Sequence, residues 1–71
     1  MITRFWQHYT TGERFAVGVD SYGAILGARG PLNHSEIRIA RRGDWSADWK
    51  VTEEIKANPD SYGDVTNSIP D

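Results

Sequence analysis

The sequence predicts an α+β fold, a three-stranded antiparallel β-meander followed by one or two short helices packed on one face. Three observations lead there. Glycine-closed turns cut the first thirty residues into three strand-length pieces, and the middle piece alternates with period two. A nearly complete set of helix start and stop signals then follows Pro31.

The three pieces are Ile2 to Tyr9, Glu13 to Asp20 and Ala24 to Arg29. In the middle one, Phe15, Val17 and Val19 fall on one face and Arg14, Ala16 and Gly18 on the other, so it is expected to be the central strand. Both connections, Thr10-Thr11-Gly12 and Ser21-Tyr22-Gly23, are three-residue loops ending in Gly, the pattern of a type I turn closed by a left-handed glycine. Asp20 at the head of the second turn can accept from the turn's own amides. The first piece carries rings on both faces, Trp6 beside Ile2 on one and Phe5 beside Tyr9 on the other. Two outcomes follow. Either one aromatic face stays open as a contact surface, or a C-terminal segment folds back over it.

Beyond Gly30-Pro31, Asn33 suits an N-cap, and Glu36 three residues on completes a capping box. Leu32 and Ile37 stand where a hydrophobic staple needs them. Arg41 and Arg42 suit the negative pole of the helix, and Gly43 its end. A helix over about 34–42 is expected. The competing strand reading rests on the alternation of Ile37 and Ile39 and leaves those signals unexplained. Over 44–58 the templates nearly tie, since Trp45, Ala47, Trp49 and Val51 alternate while Trp45, Trp49, Thr52 and Ile55 space like a helix. Thr52-Glu53-Glu54 resembles a helix start and Pro59 a stop, so a second helix within about 47–58 is favoured. Residues 1–58 are read as one small domain and 59–71 as a partly ordered acidic tail, with Val65 and Ile69 as its anchors. Asp20-Ser21-Tyr22-Gly23 recurs as Asp60-Ser61-Tyr62-Gly63, and shared turn chemistry accounts for the repeat.

A chain of 71 residues buries one modest core. It has no cysteine to supplement that core with disulfides, which fits a reducing, cytoplasmic setting, and no apolar run long enough for a membrane span. The net charge of −2 hides a division. Residues 1–43 carry six arginines against Glu13, Asp20 and Glu36, a net of +3, whereas 44–71 carry Lys50 and Lys56 against seven carboxylates, a net of −5. The division equips the front for recognition, since Arg binds carboxylates, phosphates and aromatic faces better than Lys. It equally describes two solvated faces that attract each other.

Little points to catalysis. His8 and His34 lack paired ligand spacing, and no serine sits on a Gly-flanked elbow. The glycines lack the context of a phosphate loop, and adjacent Glu53 and Glu54 diverge by about 100° on a helix. No enzyme activity, cofactor or metal is expected. What remains is a protein-binding module (adaptor, regulator or inhibitor) with aromatic and arginine anchors, for which Arg4, Trp6, Tyr9, Arg14, Arg29, Trp45 and Trp49 are the candidates. Trp45 and Trp49 could instead clamp the helices to the sheet. The alternative is a nucleic-acid binder that lays the three-stranded sheet in a groove, with Arg4, Arg14 and Arg29 on phosphates or guanine edges. A pI near 5.5 opposes it. Exposed sheet edges also permit a homodimer.

Overall fold

The computed structural model describes residues 1–70, and its first half is the expected meander. Strands β1 (Ile2–His8), β2 (Arg14–Val19) and β3 (Ile25–Arg29) pair antiparallel, with Trp6 opposite Phe15 and Val17 opposite Ala28. Both turns close on left-handed glycines, Gly12 at φ 76° and Gly23 at φ 83°, a conformation that costs other residues about 1–2 kcal/mol. In the second turn the Asp20 carboxylate accepts from the amides of Tyr22 and Ala24 at 2.8 and 2.9 Å. In the first, His8 Nδ1 accepts from the amides of Thr10 and Thr11 at 3.1 and 3.3 Å.

The segment expected to be a partly ordered tail is part of the sheet. After a 3-10 turn at Pro59–Ser61, Tyr62–Asp64 forms β4, antiparallel to β1, which gives the order β3-β2-β1-β4. The pairing continues past the strand, because the Val65 amide donates to the Phe5 carbonyl at 2.7 Å and the Phe5 amide to Thr66 Oγ1 at 2.8 Å. Ile69 is buried and Val65 packs beside it, both as expected. Asp71, the last residue of that expected tail, lies outside the described residues. The repeated tetrapeptide therefore has two structures. Asp20 to Gly23 makes a hairpin turn, whereas Asp60 and Ser61 lie in the 3-10 turn and Tyr62 and Gly63 in β4.

The two helices take opposite faces of the sheet. Helix α1 (His34–Ala40) begins with the full capping box, Glu36 amide to Asn33 Oδ1 and Asn33 amide to Glu36 Oε1, each 2.9 Å. Its Ile37 and Ala40 bury against Phe5 and Ala16, with Ile69 completing the cluster. Helix α2 (Trp49–Ala57) settles the ambiguity over 44–58, but it starts ahead of Thr52. Asp48 is its cap, accepting from the amides of Lys50 and Val51 at 3.0 and 3.3 Å. Ile55 of α2 buries against Phe15, Val17, Val19 and Ala28 on the other face. The two-faced aromatic character of β1 is thereby explained, since Phe5 feeds one core and Trp6 packs on the other. Each fully buried aliphatic or aromatic side chain contributes about 1.5–3 kcal/mol.

The start of α2 also closes the outer edge of β3. The Asp48 amide donates to the Ala28 carbonyl at 2.7 Å, and the Ala28 amide donates to the buried Thr52 hydroxyl at 2.9 Å.

Candidate functional site

An open groove of about 520 Å³ runs between the end of β3, helix α1 and the 43–46 turn. Leu32, Ile39 and Trp45 give it an apolar lining, and Arg29, Glu36, Asp44 and Ser46 a polar one. Four contacts hold its walls. Arg29 Nε donates to the Ser46 carbonyl, and its terminal nitrogen lies 3.4 Å from the Ser46 hydroxyl. The Trp45 indole N–H donates to Thr3 Oγ1 at 3.1 Å while the ring packs on the α1 cluster. Ala47 sits so close to Gly27 that a β-carbon there would come within 2.6 Å of its own. Glu36 is held by its capping bond to Asn33.

Ile39 is the exposed apolar element of this groove, at 48% of its surface. Its placement follows from the helix. Ile37 and Ile39 are two residues apart, so they point about 200° away from each other and cannot both enter the core. The alternation that mimicked a strand was therefore the one sequence signal for Ile39. In the sequence Leu32 reads only as half of the staple and Glu36 only as part of the cap. Asp44 and Ser46 left no signal, because only the fold brings their turn against β3.

The seven candidate anchors do not form one site. Arg29 and Trp45 meet in the groove. Arg14 lies on the same sheet face, its Nε donating to Gln7 Oε1 at 3.0 Å. Arg4 pairs opposite Val17 and so belongs to the other face, as Trp6 does. Tyr9 is exposed at the end of the β1–β2 hairpin with its phenol against Gly63. Trp49 opens α2 with 76% of its surface exposed, which does not fit a clamp; Trp45, with its indole N–H satisfied, does. One arginine per strand thus fails to give one arginine face, because strand parity places Arg4 opposite to Arg14 and Arg29.

Electrostatics across β1 and β4 are local. Arg4 Nε meets Asp64 Oδ2 at 2.8 Å, with both side chains substantially exposed. Burial pushes the Asp64 carboxyl up, but the Arg4 guanidinium and the amide and hydroxyl of Thr66 together outweigh it and hold the group below its ordinary value. Arg4 is raised in turn, by its hydrogen bond to Asp64 and then by that charge. Tyr62 is raised by burial and, further, by the charges of Glu54 and Glu13. Its ring stands edge-on to His8 and Phe15, at 5.0 and 5.5 Å between centroids.

Among the described residues no group of three or more His, Cys, Asp or Glu is placed to hold a metal ion, and no helix is long and apolar enough to cross a membrane. Compared with known proteins, the chain matches no family model, no curated protein and no solved structure. Any functional reading therefore rests on the groove and its surroundings.

Proposed function

We propose that the protein is a non-enzymatic binding module that docks on another protein through the groove beside α1. The observation that carries this is Ile39, half-exposed next to Leu32 and Trp45 in a groove that also presents Arg29. Apolar side chains ringed by polar ones, with Trp and Arg among them, are the composition of interface hot spots. The rigid walls suit docking with little rearrangement, since Arg29, Trp45 and Glu36 are each held by a hydrogen bond within the chain.

The other two readings have less support. A sheet laid in a nucleic-acid groove needs an open face, and here each face carries a helix. A dimer through the edge of β3 would have to displace Asp48 and Thr52 from Ala28.

The test is affinity capture with the wild-type chain and with Ile39→Asp, a surface change whose fold is checked by circular dichroism. A partner recovered by the wild type and lost with the variant supports the reading. Identical recoveries from two folded baits would remove the groove from it.

A further inference from the structure

We propose that the occupant of the groove is an acidic amphipathic segment of a partner protein, whose apolar side chains enter beside Leu32, Ile39 and Trp45 and whose carboxylates lie over Arg38 and Arg42. The proposal rests on the docking reading above and specifies the chemistry of what docks.

Arg38 immediately precedes the groove residue Ile39, and Arg42 immediately precedes Gly43. They stand one helical turn apart on α1 and the turn that ends it, and both are exposed. Neither side chain forms an ion pair or a hydrogen bond among the described residues. Their neighbour Arg41 is used differently, donating to the Ile69 carbonyl at 3.0 Å with its guanidinium 5.6 Å from the centre of the Phe5 ring. One arginine of the three is thus spent on the core, and two flank the half-exposed Ile39 with their guanidinium donors open. Guanidinium forks bind carboxylates bidentately, which fixes direction as well as strength.

The groove's own charges narrow the occupant further. Glu36 and Asp44 line it, so a segment that is acidic on all sides would meet like charge inside. Carboxylates are welcome over the outer face of α1 and apolar groups within, which is an amphipathic pattern. The same two carboxylates, with a net charge of −2, make a phosphate backbone the poorer occupant, because its affinity needs a basic surface throughout.

The probes are two designed helical peptides of roughly 12 residues, about three turns, identical except that one has Glu and the other Lys on the polar face opposite Leu. Each is titrated into the isotope-labelled full chain, reading the Trp45 indole N–H and the Ile39 methyl signals by NMR. The Glu peptide is expected to bind about tenfold more tightly than the Lys peptide. R38E/R42E should weaken the Glu peptide by about tenfold and improve the Lys peptide, and Ile39→Asp should weaken the Glu peptide. Both variants change exposed residues, and their spectra report whether the fold is kept. If the Lys peptide alone perturbs the groove, the acidic partner is overturned while the docking reading stands. If neither peptide does, both fall. A short DNA duplex that shifts the same signals, with binding unchanged in Ile39→Asp, would replace the protein segment by a polyanion and overturn the proposal.

Discussion

The Thr52 hydroxyl accepts the Ala28 amide proton at 2.9 Å and reaches back to the Asp48 carbonyl at 2.7 Å, so a helix side chain satisfies the outer edge of a strand. Thr52 is 3% exposed, so solvent has little access to the Ala28 amide beneath it. Thr52→Val keeps the shape and removes the acceptor, leaving a buried N–H unpaired. The expected cost is about 1–3 kcal/mol in urea denaturation. Hydrogen exchange at the Ala28 amide should accelerate, and unchanged exchange would show that the contact does not guard the edge.

Gly27 sets how closely the turn before α2 approaches the sheet. Gly27→Ala forces its new β-carbon against Ala47 and pushes that segment outward, at an expected cost of about 1–3 kcal/mol. The displacement should reach the groove through Trp45. Loss of the Trp45 indole hydrogen bond to Thr3, seen as a shift of its N–H signal, is the measurement.

Asp64 makes a pH-dependent contribution of known sign. Its folded value lies below the ordinary carboxyl value of about 3.9. The contribution is therefore complete above that ordinary value and disappears as pH falls through the lower folded one. Asp64→Asn should be less stable than the wild type at neutral pH by at most about 1 kcal/mol, because the pair is exposed. The difference should shrink in high salt and vanish in strong acid.

Tyr62 gives the opposite dependence. Its folded value is raised above the ordinary phenol value of about 10. Its contribution is complete below that value and is lost as pH rises through the folded one. Tyr62→Phe, which cannot ionise, should therefore gain on the wild type in alkaline denaturation. In the absorbance titration at the phenolate band, the wild type should show an ionisation above the ordinary phenol value that the variant lacks.

What the sequence made legible divides by distance along the chain. Asn33 with Glu36, and Asp20 with Gly23, act on residues two to four positions away, so the cap and the hairpin turn could be read directly. Asp48 was obscured because Trp45, Ala47, Trp49 and Val51 alternate across the cap, and the alternation has no strand partner to satisfy it. Tyr62-Gly63-Asp64 was invisible as a strand, since Gly63 and Asp64 are turn formers that outweigh Tyr62 and its partners are Trp6, Gln7 and His8 at the other end of the chain. The groove was half legible for the same reason. Arg29 and Trp45 stood out by type and Ile39 by its misfit on α1, while Asp44 and Ser46 take their meaning only from where the sheet ends.

The partnership of β4 with β1 has a kinetic consequence. The hairpins close connections of five residues each, 9–13 and 20–24, whereas β4 must find β1 across nearly the whole chain, and the entropy of that closure grows with loop length. The meander is expected to form first and β4 to zip on last. In the native state the same order runs backwards: the three-residue strand is the natural first unit to peel away. Each such opening bares the backbone of β1 at Trp6, Gln7 and His8 and lifts Tyr62 from the α2 core, so the molecule's readiness to aggregate is governed by its final strand.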